Sequence, residues 1–222
     1  MITIIPAIIP KKFSDIVFDV ERVKDIVEKI QIDICDGVFV KNTTWPYVGD
    51  TGEWSELVSQ IKGLPFWEEI DYEFHLMVEN PEAVVRDYIN AGVSSLVVQV
   101  ETVTNMKEIS DLCKASAVSL IVSLKPSTPV TMLTQHEGLF DGIQCMGSNA
   151  LGRHGVHIDE SVYEKIRELK KIYSDIPLAI DTGVTNETAP WLVDAGVDSL
   201  VVGSAIFESD NIGEEIELLR NS

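Results

Sequence analysis

Two carboxylates and a histidine stand at the ends of short apolar runs. The first carboxylate lies in Ile30-Gln31-Ile32-Asp33-Ile34-Cys35-Asp36-Gly37. In a strand, Ile30, Ile32 and Ile34 face one way, and Gln31 and Asp33 face the other. A buried, unpaired carboxylate is costly, so Asp33 either has a partner or does work. Read in isolation, the stretch also fits a solvated edge strand. His75 sits between Phe74 and Leu76, and Asp181 precedes Thr182-Gly183. Taken singly, His75 also reads as a core histidine and Asp181 as a turn residue. Together they suit a divalent metal ion held by oxygen and imidazole ligands. They equally suit acid–base chemistry by two carboxylates. Gly183 and Gly203-Ser204 permit tight strand-to-helix turns, whose N–H groups gather near helix N-termini. In barrels this is the recurrent phosphate site.

The elements that must position these residues follow from hydrophobic period. Apolar, β-branched runs predict strands at 3–9, 30–34, 69–77, 95–100, 117–124, 140–145, 176–180 and 199–202. Between them, helical spacing predicts eight helices. One carries Ile16, Val20, Val23 and Val27 behind a Ser14 cap. One runs from Glu53 to Ile61, one starts at Asn80-Pro81, and one is capped by Thr185. Strict alternation means a parallel sheet with crossover helices. Eight units in 222 residues predict a compact (β/α)8 barrel, a TIM barrel, occupying residues 1–222 as one domain. A doubly wound open sheet is the alternative, but no G-x-G-x-x-G follows the first strand. Two long loops interrupt the pattern. Residues 35–50 carry Phe39, Trp45 and Tyr47, and residues 146–158 carry Gly147, Gly152 and Gly155. The first reads either as a cover for a site or as a lid on the core rim.

Composition narrows the partners. The net charge of -19 and pI near 4.4 argue against nucleic acid or an anionic membrane, both of which need basic surface. A small phosphorylated ligand remains compatible, because backbone N–H groups hold phosphate. Cys35, Cys113 and Cys145 are scattered and show no zinc spacing, as expected of reduced thiols in the cytoplasm. The start Met1-Ile2-Thr3-Ile4-Ile5-Pro6 has no signal-peptide pattern, and no run has the length of a membrane span.

These motifs resemble the ribulose-phosphate 3-epimerase family, in the family's order and over nearly the whole chain. Pro6-Ala7-Ile8-Ile9 resembles its opening strand, and Gln31 to Val40 its second-strand signature. His75-Leu76-Met77-Val78 matches the third strand, and Lys125-Pro126-Ser127-Thr128-Pro129 the fifth-strand exit. Ile180-Asp181-Thr182-Gly183-Val184 and Val202 to Phe207 resemble its phosphate-binding end. The resemblance implies C3 epimerisation of ribulose 5-phosphate to xylulose 5-phosphate, with Asp33 and Asp181 as catalytic residues on opposite faces of the sugar. It implies a divalent metal ion (Zn, Mn, Fe or Mg) on Asp33, His75 and Asp181, with Gln31 as a fourth candidate. Thr182, Gly183, Gly203 and Ser204, with Met77, Gly152 and Arg153, become the candidates for binding the phosphorylated ketose. A homo-oligomer is a weaker implication.

The chain also departs from the family pattern. Gln31 replaces a histidine ligand, Gln99 a strand-four histidine, Ala7 a serine and Cys35 a methionine. Residues 150–157 replace a Gly-Gly-Gln type loop, with His154 and His157 as candidate substitute ligands. Three readings therefore stand at this point. One is the pentulose-phosphate epimerase or an epimerase of a different ketose phosphate. Another is a catalytically altered phosphosugar-binding barrel. The third is a relative of orotidine-phosphate decarboxylase or hexulose-phosphate synthase, although the third strand lacks their Asp-x-Lys-x-x-Asp signature.

Overall fold

Each apolar run becomes a strand paired with the runs before and after it. The computed structural model describes residues 2–153 and 155–222. Met1 and His154, one of the two loop histidines considered as substitute ligands, lie outside the described residues. The strands are β1 (Thr3–Ile8), β2 (Lys29–Cys35), β3 (Asp71–Met77), β4 (Ser95–Gln99), β5 (Ser119–Leu124), β6 (Gly142–Met146), β7 (Leu178–Asp181) and β8 (Ser199–Val202). All pairs are parallel, and β8 closes on β1, giving an eight-stranded barrel in sequence order. The fold is a TIM barrel. β2 pairs with both β1 and β3, so the edge-strand reading of residues 30–34 is excluded.

The helices are α1 (Phe13–Val23), α2 (Glu53–Val58), α3 (Val85–Asn90), α4 (Met106–Ala115), α5 (Thr131–Thr134), α6 (Ser161–Ile172), α7 (Ala189–Ala195), α8 (Ser204–Phe207) and α9 (Ile212–Arg220). Their apolar faces meet the outward faces of the strands, where Ile30, Ile32, Ile34, Phe74, Leu96, Val122, Ile180 and Leu200 form one continuous core. The inward residues are different in kind. Gln31, Asp33, Glu73, His75, Ser95, Gln99, Ser123, Gln144 and Asp181 are all buried. The period of two thus divides β2 to β7 between a hydrophobic shell and a largely polar lumen, while β1 and β8 turn Ile5, Ala7 and Val201 inward.

Several boundaries differ from the expected ones for local reasons. α1 begins at Phe13 with Lys12 as its N-cap. Ser14 lies inside the helix, and Asp15 Oδ2 accepts from the Lys11 and Lys12 N–H groups. α2 stops at Val58, because Gln60 turns left-handed at φ 59°, and Ile61 is left 80% exposed. After Asn80 the chain makes a 3-10 turn, Pro81–Ala83, before α3. Thr185 is not the cap residue of α7. Its hydroxyl instead accepts from the Glu187 and Thr188 N–H groups ahead of that helix. α8 adds one unpredicted helical turn directly after β8.

Of the two roles weighed for the 35–50 loop, the contacts show packing on the core rim, and none of its residues lines the cleft described below. Phe39 packs on Cys35, Val40, Met77, Met146 and Leu151 near the strand ends. Trp45 is wholly buried, with its ring 5.4 Å from Phe13 and 5.5 Å from Trp54. Its backbone N–H donates to the Pro10 carbonyl. The loop is thereby nailed to the core by a single large side chain. Trp45→Ala is expected to cost about 3–5 kcal/mol in urea unfolding, the range for emptying a buried aromatic site.

Candidate functional site

The site lies where the inward faces of β2, β3, β4, β6 and β7 meet. The register places Asp33 beside His75, and Met146 beside Asp181. His75 Nδ1 is 3.4 Å from Asp33 Oδ1 and 3.3 Å from Asp181 Oδ2. The two carboxylates come from strands separated around the barrel by β1 and β8, and they converge on the same imidazole nitrogen. Gln31 bridges them: its Nε2 donates to Asp33 Oδ1 at 2.8 Å and to Asp181 Oδ2 at 3.2 Å. Gln144 Nε2 adds a bond to Asp181 Oδ2 at 3.1 Å. On the other side of the imidazole, Gln99 Nε2 stands 2.7 Å from His75 Nε2 and donates to Ser123 Oγ at 3.0 Å.

Sealing charges this way moves their titration. Burial raises the Asp33 carboxyl above the ordinary carboxylate range. The neighbouring Asp181 charge adds to the rise, and the His75 and Gln31 hydrogen bonds oppose it. Burial works against a charged His75, but the Asp181 and Asp33 carboxylates outweigh it and lift the ring to about 9. An imidazolium carries N–H groups on both nitrogens. Its Nε2–H then needs an acceptor where the Gln99 nitrogen stands, and a turn of that amide supplies the Gln99 oxygen.

Asp33, His75 and Asp181 each offer one ligand atom, and these atoms lie within 4.8 Å of one another. Beside them, the Oε1 of Gln31 is buried without a hydrogen-bond partner. Two carboxylates, one imidazole and a spare amide oxygen match the donor preferences of a divalent cation. The residues present fit the group.

A cleft of about 180 Å³ opens above this cluster. Asp33 and Asp181, 6% and 7% exposed, form part of its floor, whereas His75 and Gln31 lie wholly beneath it. Met77, Gly152, Arg153, Thr182, Gly183, Gly203 and Ser204 all line it, so every substrate-binding candidate opens onto the same space as the two aspartates. His157 also lines the cleft, but it is not a member of the ligand cluster. Thr182 and Gly183 both take positive φ, 83° and 77°. A Cβ on Gly183 would come within 2.8 Å of the Ile158 backbone, so only glycine lets the 146–158 loop pack here. Gly147 is held equally close: its N–H donates to the Asp181 carbonyl at 2.6 Å, and a Cβ would meet the Thr182 oxygen at 2.0 Å. These contacts bring the exits of β6 and β7 together beside α8, which starts at Ser204.

Gln144 is the functional candidate that the sequence reading passed over. Its signal is the one that drew attention to Gln31, a lone amide between apolar neighbours, here Ile143 and Cys145. Glu101, two residues past β4, is not part of this cluster: its Oε1 accepts from the Lys125 N–H and the Thr128 hydroxyl, fastening the β5 exit. The clustering of like charges has a measurable cost. An ionised Asp33 whose carboxyl is raised by folding opposes folding at neutral pH. Asp33→Asn is therefore expected to raise the Tm in chelator by about 2 °C or more. An unchanged or lower Tm would show that the amide donors fully offset the burial of this charge.

Comparison with known proteins supplies the family. Residues 3–207 match the profile of the ribulose-phosphate 3 epimerase family. The ribulose-phosphate 3-epimerase of Bacillus subtilis (strain 168) is 30% identical over 229 residues, covering all of both chains. The cytoplasmic isoform of the enzyme from Oryza sativa subsp. japonica is 29% identical over 224 residues, 99% of this chain and 93% of that protein. Among solved structures, 3-keto-L-gulonate-6-phosphate decarboxylase from Vibrio cholerae superposes with a TM-score of 0.75 at 12% identity, covering 99% of this chain and 96% of that one. The 3-hexulose-6-phosphate synthase of Salmonella typhimurium gives 0.74 at 12% identity, covering 99% and 97%. At such identities these two share the fold alone. The family match runs from the first residue of β1 to the last of α8, taking in every strand of the barrel, and the chain belongs to the ribulose-phosphate 3-epimerase family of isomerases.

Proposed function

We propose that this protein interconverts D-ribulose 5-phosphate and D-xylulose 5-phosphate, the whole chain acting as one catalytic domain. The observation that carries the reading is the pair of nearly buried carboxylates, Asp33 on β2 and Asp181 on β7, on the floor of one cleft. Epimerisation at C3 needs a base on one face of the sugar and an acid on the other. One aspartate takes the C3 proton, and the other, already protonated, returns its own proton from the opposite side. The two carboxyls exchange protonation states in the process, so the same pair serves the reverse reaction. A divalent cation on Asp33, His75 and Asp181 would supply Lewis-acid polarisation of the substrate's C2 and C3 oxygens. Without a cation, Gln31 and Gln144 hold the carboxylates in place by donating to them.

The other end of the cleft suits the phosphate. Backbone from Thr182, Gly183, Gly203 and Ser204 lines it beside the short helix α8, an arrangement that barrels use repeatedly for phosphoryl groups. Arg153 and His157 are the basic side chains of that lining among the described residues. Arg153 offers local positive charge in a strongly acidic chain. A related ketose phosphate is the second reading, favoured by Ala7 and Arg153, two cleft residues that depart from the family pattern.

Asp33→Asn and Asp181→Asn are each expected to slow exchange of the C3 proton with solvent deuterium by at least about 100-fold. Unchanged exchange in both variants would end the two-aspartate reading. Chelator is expected to abolish turnover of ribulose 5-phosphate, and added Mn2+ to restore it. Longer and shorter ketose phosphates assayed in parallel decide the second reading. Arg153→Gln is expected to raise KM about tenfold while leaving kcat unchanged, the pattern for a phosphate contact equal in ground and transition states.

A further inference from the structure

Three glutamines, one each from β2, β4 and β6, surround His75. Gln31, Gln99 and Gln144 are wholly buried, and each leaves its Oε1 without a hydrogen-bond partner. Each turns its Nε2 toward the cluster instead. A buried acceptor without a donor calls for an explanation, and three converging on one histidine call for a common one.

Gln31 is the member in contact with the whole cluster. Its Nε2 lies 2.8 Å from Asp33 Oδ1, 3.2 Å from Asp181 Oδ2 and 3.5 Å from His75 Nδ1. The three atoms that would ligate a cation are thus the three that the amide nitrogen touches. Rotating the Gln31 amide by half a turn exchanges its nitrogen and oxygen with almost no change in shape. An oxygen facing two carboxylates is repelled, unless a cation lies between them. We propose that Gln31 is a two-position ligand. Its N–H group bridges Asp33 and Asp181 when no cation is bound, and its Oε1 completes the coordination when one is.

Gln99 is compatible with the cation-bound state. Ligation through His75 Nδ1 requires that nitrogen's lone pair, so the ring proton must sit on Nε2. Gln99 stands 2.7 Å from that Nε2, and a half-turn of its amide places its unpartnered oxygen on the proton. Ser123 Oγ, 3.0 Å from the Gln99 amide, can then donate where it now accepts. One cation-bound state therefore gives partners to two of the three orphaned oxygens.

The inference rests on reading the cluster as the cation site of the epimerase, and it adds a preference. With Gln31 the donor set is three oxygens and one imidazole. That set shifts relative affinity from Zn2+ toward oxygen-preferring Mn2+, compared with a site carrying a second imidazole. The test is equilibrium dialysis of the chelator-stripped full chain against Mn2+ and Zn2+, for the wild type, Gln31→Leu, Gln31→Glu and Gln31→His. Gln31→Leu is expected to weaken Mn2+ binding about tenfold or more, whereas Gln31→Glu retains it. Gln31→His is expected to raise the Zn2+ over Mn2+ affinity ratio about tenfold. Circular dichroism of the stripped variants checks folding, and if Gln31→Leu fails to fold, the Gln31→His ratio carries the test alone. Mn2+ binding to Gln31→Leu as tight as to the wild type, or tighter, would overturn the proposal, as would an unchanged ratio in Gln31→His. A wild type that binds neither Mn2+ nor Zn2+ overturns it too. Turnover by that stripped protein would then show that the epimerase reading survives without the cation.

Discussion

Two carboxylates held within reach of one imidazole are the constraint around which the barrel interior is arranged. Asp33 and Asp181 carry like charge into a lumen with little water, where repulsion and desolvation both raise their energy. Nothing apolar could hold them there. The lumen therefore carries amide donors, and Gln31 on β2 and Gln144 on β6 aim bonds at the carboxylate oxygens. Such a polar centre is affordable because stability comes from elsewhere. The continuous core lies outside the sheet, between strands and helices, and the closed ladder leaves no strand edge through which the centre could relax.

The same closure fixes the geometry of the chemistry. An aspartate on β2 and another on β7 come within reach of one imidazole because β8 returns to pair with β1. The proposed proton transfer on two faces of a sugar carbon needs two such groups held stationary. The strand register supplies this rigidity more reliably than a loop would. The end proposed for the phosphate is built in the contrary way, at the exits of β6, β7 and β8, where Gly147 and Gly183 allow chain segments to touch. On that proposal, side chains on strands do the chemistry and turns do the anchoring, at two ends of one cleft.

Much of this was legible in the residues. The alternation of apolar runs with helical periods is enough for a parallel sheet with crossover helices, because strand and helix periods differ. That β8 pairs with β1 to close a barrel rather than an open sheet is a long-range fact. Asp33, His75 and Asp181 stood out because a charged or polar side chain inside an apolar strand is expensive unless it is used. Gln144 carried the same signal more faintly, since a neutral amide costs less to bury than a carboxylate. Boundaries were less legible. Ile61 has the helical spacing of a core residue, but the left-handed Gln60 ends the helix before that spacing can act. Thr185 has the composition of a cap, yet its hydroxyl closes a turn short of the helix.

By itself the sequence determined the order of elements, the polar positions within the strands and the strongly acidic net charge, all of which depend on composition and local period. Only the tertiary structure decided that Gln31 touches Asp33, His75 and Asp181 at once, that Glu101 leaves the site to fasten the β5 exit, and that Trp45 rather than Tyr47 anchors the long loop. These are contacts between residues up to 150 positions apart. They are set by barrel closure and by which neighbour a side chain meets across the lumen, and no local pattern encodes such distances.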